Sequence, residues 1–172
     1  YPRLKQFFDF MIGKNLYSTT RMKGSGLLRT WDYFYNSGGW DDYPPQHTLR
    51  DKASITPVVT SAYYIRAAKI LRLAAKKLGL KKDIKEYEEI IKQLSNALQI
   101  YSWDEETGYF GYVMHDNDGK PKGIYRYKDG SNYNKGLDGV SPLIANISSK
   151  EQTRRMINHV FSPDEMWTEV GI

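Results

Sequence analysis

The feature that most constrains this chain is a pair of amphipathic helical patterns separated only by Leu78-Gly79. In the first, Val58, Val59, Ala62, Tyr63, Ile65, Ala68, Ile70, Leu71 and Leu73 recur at intervals of about three and four, which builds one broad apolar face. Thr56 and Pro57 stand where an N-cap and a first-turn proline belong. In the second, Asp83 is placed to cap a helix whose stripe is Tyr87, Ile90, Ile91, Leu94, Leu98 and Tyr101, while Lys81, Lys82, Lys85, Glu86, Glu88 and Glu89 face water. The link is short, so the two are expected to form an antiparallel α-hairpin.

Shorter patterns fill in the rest. Leu4, Phe7, Phe8, Met11 and Ile12 fit an amphipathic helix ended by Gly13. A helical stretch is expected from Pro142 through Ile147. Another starts at Ser149-Lys150-Glu151-Gln152, which has capping-box spacing, and continues through Met156, Ile157, Val160 and Phe161. Residues 109–115 and 124–127 alternate loosely around Asp116-Asn117-Asp118-Gly119, as a β-hairpin would. Together these predict a mainly α chain built of helical hairpins with one small β-hairpin, an α-solenoid or toroid rather than a sheet protein.

Composition limits the function classes. A length of 172 residues is that of a single domain. The chain has no cysteine, which removes disulfides, thiolate catalysis and cysteine-based zinc sites without fixing the compartment. Net charge is +5, but the lysines are dispersed rather than gathered in a stripe, so nucleic acid is not expected as a partner. No apolar run approaches the ~20 residues of a bilayer crossing, and Arg66, Lys69 and Arg72 interrupt the longest helical segment, so no membrane role is expected. The opening Tyr1-Pro2-Arg3 and the apolar close at Trp167-Thr168-Glu169-Val170-Gly171-Ile172 read as cuts. The 172 residues are therefore expected to be a portion of one domain, truncated at both ends.

The chemistry is concentrated where periodicity fails. Aromatic residues make up 14% of the chain, and many lie in a glycine- and proline-rich stretch between residues 14 and 56. Its densest part reads Tyr35-Asn36-Ser37-Gly38-Gly39-Trp40-Asp41-Asp42-Tyr43-Pro44-Pro45-Gln46-His47. Adjacent carboxylates flanked by glycines and flat rings suit glycoside hydrolysis: an acid to protonate the leaving oxygen, close backbone approach, and rings to stack on sugar faces. The same residues also fit a loop whose Asp side chains cap a turn and whose rings are core. Trp103-Asp104-Glu105-Glu106-Thr107-Gly108 reads as a structural turn, and Asp116-Asn117-Asp118-Gly119 lacks the rest of a calcium loop. His47, His115 and His159 have no metal-ligand spacing, and nucleotide-binding and serine-hydrolase motifs are missing, so no metal or cofactor is expected.

Gly39-Trp40-Asp41-Asp42-Tyr43-Pro44 resembles the signature of glycoside hydrolase family 63, the processing α-glucosidases and their bacterial relatives, and more distantly the trehalases. Residues 60–79, residues 103–110, Ser141-Pro142-Leu143 and the Trp167-Thr168 to Gly171 segment match later stretches of that family in the same order. The resemblance implies part of an (α/α)6 toroid and an inverting glycosidase that cleaves α-glucosidic or related linkages. Asp41 would be its general acid, with Trp31, Trp40, Asp42, Tyr43 and Gln46 binding an oligosaccharide or glycoside. Burial among rings and the neighbouring charge of Asp42 would hold Asp41 protonated. The water-activating base of the family lies beyond the Trp-Thr-x-x-Gly segment, so the remainder of the polypeptide is expected as a partner and the isolated fragment as inactive. Where the family often has an Arg after the Asp pair, this chain reads Pro44-Pro45-Gln46. Two other readings stay open: a polysaccharide lyase acting on an acidic polymer through Tyr35, Asn36, His47 and Arg50, and a carbohydrate-binding helical module without turnover.

Overall fold

The computed structural model describes residues 1–15, 17–29 and 53–171. Helix α1 (Pro2–Met11) is followed, after an irregular stretch, by strand β1 (Ile55–Thr56) and the two long helices α2 (Val58–Lys77) and α3 (Lys81–Ala97). A π-helical turn, Leu98–Ser102, leads into the short strands β2 (Trp103–Asp104), β3 (Tyr109–Phe110), β4 (Val113–His115) and β5 (Pro121–Ile124). A 3₁₀ turn, Leu137–Val140, then enters α4 (Ser141–Ala145), and α5 (Lys150–Val160) follows. The chain is mainly α, as its periodicity predicts.

The expected hairpin is α2 and α3. Val58, Ser61, Ala62, Ile65, Ala68, Leu71 and Ala75 form the buried face of α2, and Tyr87, Ile90, Leu94 and Ala97 form that of α3. Gly79 makes the reversal with φ +70°, and Leu80 N–H reaches Ala75 C=O at 2.9 Å while Gly79 N–H reaches Lys76 C=O at 3.3 Å. This is a Schellman closure, and the left-handed residue at its centre is where glycine is cheapest. Helix α1 covers one end of the pair: the buried Phe8 ring meets Tyr87 edge-on at 5.5 Å, and Tyr1 Oη donates to Asp83 at 2.7 Å.

Three expectations are corrected here. Thr56 lies in β1 rather than capping α2, and Pro57 takes the N-cap position with extended backbone. Asp83 falls in the first turn of α3, where Leu80 is the N-cap, and its carboxylate is spent on Tyr1. The single expected β-hairpin is two small antiparallel sheets: β2 pairs with β3, and β4 is the centre of the order β1-β4-β5. The turn at residues 116–119 does join β4 to β5, and Ser149 with Gln152 forms the full capping box of α5. Among the described residues no helix is long and apolar enough to cross a membrane.

Candidate functional site

The residues expected to carry chemistry, Trp31, Trp40, Asp41, Asp42, Tyr43 and Gln46, lie outside the described residues, as do Tyr35, Asn36, His47 and Arg50. The structure does fix the two points from which residues 30–52 leave and to which they return. Arg29 N–H bonds Thr20 C=O at 2.8 Å, and Leu28 N–H bonds the buried Ser61 hydroxyl at 2.9 Å, so the departing strand is held on α2. The Arg29 guanidinium donates through Nε to Thr19 C=O at 2.5 Å and through Nη1 to Ala53 C=O at 2.8 Å. One side chain thus ties together the two described points that flank residues 30–52.

His115 anchors the return. Its backbone N–H and its Nδ1 both meet Ser54 C=O, at 2.8 and 3.1 Å, and its Nε2 lies 2.7 Å from the Ser25 hydroxyl. A carbonyl only accepts, so Nδ1 carries the proton toward Ser54. Burial pushes the imidazole below its ordinary range, against smaller raising effects from the Ser54 and Val113 backbone. The ring is therefore neutral, and Nε2 accepts from Ser25, whose oxygen also takes the Leu27 N–H at 3.1 Å. An open polar cavity of about 800 Å³ adjoins these anchors, between residues 18–29, Ala53-Ser54 and the turn at residues 116–119. Among the described residues Arg21, Lys23, Arg29, Asp116 and Asp118 line it, groups that hydrogen bond and carry charge.

The second constellation extends the turn at residues 103–108 into a buried polar chain running from β2 to the 3₁₀ turn. Burial alone would raise the Asp104 carboxyl, but Thr107 at 2.7 Å, Arg126 at 2.7 Å and Asn132 at 3.3 Å all donate to it and hold it below the ordinary carboxylate range. Asn132 Oδ1 in turn accepts the Asn134 N–H at 3.0 Å. Asn134 is fully buried, and neither its Oδ1 nor its Nδ2 has a protein partner. Four residues on, the buried Asp138 carboxylate accepts from the Tyr112 hydroxyl at 2.5 Å. The Tyr133 ring packs at a tilt against both Tyr125 and Tyr127, at 4.6 Å between ring centres. Asp104 and Thr107 belong to the stretch that reads as a structural turn, while Asn132-Tyr133-Asn134 has no period to distinguish it from an ordinary loop.

A third group latches the end of the chain. His159 Nε2 lies 2.8 Å from Thr107 C=O and its Nδ1 lies 2.5 Å from the Glu165 carboxylate, which also pairs with Lys135. Both partners of the ring are acceptors, so only the doubly protonated ring makes both bonds at once. Burial would raise Glu165, but Lys135 and His159 outweigh it and lower the carboxyl below its usual range. Among the described residues no group of three or more His, Cys, Asp or Glu side chains could hold a metal ion.

A family model described as the mannosylglycerate hydrolase MGH1-like glycoside hydrolase domain matches residues 18–172. No curated protein matches the chain.

Proposed function

The chain belongs to the MGH1-like glycoside hydrolase domain family, in keeping with the resemblance to glycoside hydrolase family 63, and on that premise we propose that it is the acid-bearing part of an inverting glycosidase acting on α-glucosidic or related linkages. The observation that carries this reading is that the matched interval includes Gly39-Trp40-Asp41-Asp42-Tyr43-Pro44 between the fixed anchors at Arg29 and Ala53. Asp41 protonates the glycosidic oxygen as the bond to the anomeric carbon breaks, and its conjugate base remains beside Asp42. A second carboxylate, assigned to residues outside 1–172, takes a proton from the water that attacks the opposite face, roughly 6.5–9.5 Å away. Trp31, Trp40 and Tyr43 supply stacking surface, and Asp42 and Gln46 bind sugar hydroxyls. The α2–α3 hairpin is assigned to an (α/α)6 toroid of which the remaining polypeptide supplies the rest.

The test is made on the natural polypeptide with a panel of α-glucosides. Asp41→Asn is expected to lower kcat by ~100- to 10,000-fold with KM nearly unchanged. Proton NMR of the first turnovers is expected to show the β-anomer released. Undiminished kcat in Asp41→Asn, or initial release of the α-anomer, overturns the assignment. Mannosylglycerate, the compound for which the matching family is named, joins the same panel as a second candidate substrate. The 172-residue chain alone is expected to hydrolyse none of these compounds.

A further inference from the structure

Asn134 is an exception to the accounting that governs a folded interior. Buried amides are almost always hydrogen bonded, because leaving one unpaired costs about the free energy of its lost hydration. Here both polar atoms of a fully buried carboxamide lack a protein partner, although Asp104, Thr107, Arg126 and Asn132 in the same chain of polar groups are all linked by hydrogen bonds. The backbone beneath it is fixed on both sides: Asn132 Oδ1 accepts the Asn134 N–H at 3.0 Å, and the Gly136 N–H closes a γ-turn onto the Asn134 C=O at 2.8 Å. Asn132 is itself held by Asp104 and Thr107, both at 3.3 Å. An amide positioned this firmly and given nothing to bond is how a recognition group looks.

Resting on the glycosidase reading, we propose that Asn134 is a substrate-binding residue whose carboxamide engages two neighbouring hydroxyls of the sugar. The carboxamide offers one acceptor and two donors side by side, a match for a vicinal diol. The flanking Tyr133 and the buried Tyr112–Asp138 pair place a ring and a charged hydrogen-bonding group in the same stretch, the residue types that sugar sites combine. Asn134 is fully buried, so the sugar reaches it when the packing around it opens on binding.

Two measurements on the natural polypeptide test this, using Asn134→Leu and Asn134→Ala. Leucine keeps the volume and removes the unpaired dipole, so Asn134→Leu is expected to melt about 3 °C above the parent. Affinity for methyl α-glucoside, methyl α-mannoside or methyl α-galactoside, read by isothermal titration calorimetry, is expected to fall about tenfold or more in both variants. Parent-like affinity in either folded variant overturns the proposal while leaving the glycosidase reading intact. A lower Tm in Asn134→Leu also overturns it, since the amide then has a resident partner such as an internal water. A parent chain that binds none of the three glycosides removes the sugar-site reading and this assignment with it.

Discussion

Asp104 is ionised in spite of its surroundings. Its side chain is only 4% exposed, yet three donors converge on it, and the Arg126 guanidinium supplies the compensating charge at 2.7 Å. Removing the charge with Asp104→Asn leaves the partly buried guanidinium with only the exposed Glu106, 3.4 Å away, as an ionic partner, and unfolding in urea is expected to show a loss of about 3 kcal/mol. The pH dependence follows from the direction of the shift. A carboxyl lowered in the folded state stabilises the protein at all pH values above its unfolded value, and the contribution disappears as pH falls through the folded value. Urea midpoints measured downward from pH 6 are expected to fall more steeply in the parent than in Asp104→Asn. None of this is visible locally in the sequence: Trp103-Asp104-Glu105-Glu106 reads as a turn, and Arg126 and Asn132 are 22 and 28 residues away. The same holds for Tyr112 and Asp138, since a single hydrogen bond across 26 residues leaves no periodic trace.

The elements were legible in proportion to their length. Helices α2 and α3 repeat their apolar residues through several turns, and α5 announces its start with four residues whose side chains and backbone satisfy one another: Gln152 N–H reaches Ser149 Oγ at 3.1 Å and Ser149 N–H reaches Gln152 Oε1 at 2.9 Å. Ser149→Ala is expected to cost about 1 kcal/mol, measurable as a lower urea midpoint with unchanged slope. The strands, two to four residues each, are too short for alternation to be read, which is why β2 was taken for part of a turn. Tertiary packing decides them instead. Gly139 of the 3₁₀ turn lies so close to Tyr109 of β3 that a Cβ would overlap the tyrosine ring, and Gly139→Ala is expected to destabilise by about 1–3 kcal/mol. The segment after α5 depends on His159 and Glu165 in a different way, through polar bonds at its surface. His159→Leu is expected to speed tryptic cleavage after Lys135 and Arg155 while leaving the α2–α3 hairpin intact by hydrogen exchange.

Across the whole molecule, one apolar interior links all the longer helices. Phe8 of α1, Ile65 of α2, Leu94 of α3 and Met156 of α5 are almost completely buried in the same cluster. Ile65→Ala is expected to lower stability by about 2–5 kcal/mol and to loosen all four helices together, as a single calorimetric transition would show. That interior was foreseen from hydrophobic spacing. The expected site residues, Asp41 and its neighbours, lie outside the described residues and rest on composition and resemblance, because a carboxylate and a ring acquire their chemistry from what the fold sets opposite them. The tie from Arg29 to Ala53 gives this division a practical edge. Two roots no farther apart than an arginine can reach mean that a change in the length of chain between them does not ask the helices to lengthen, shift or re-pair.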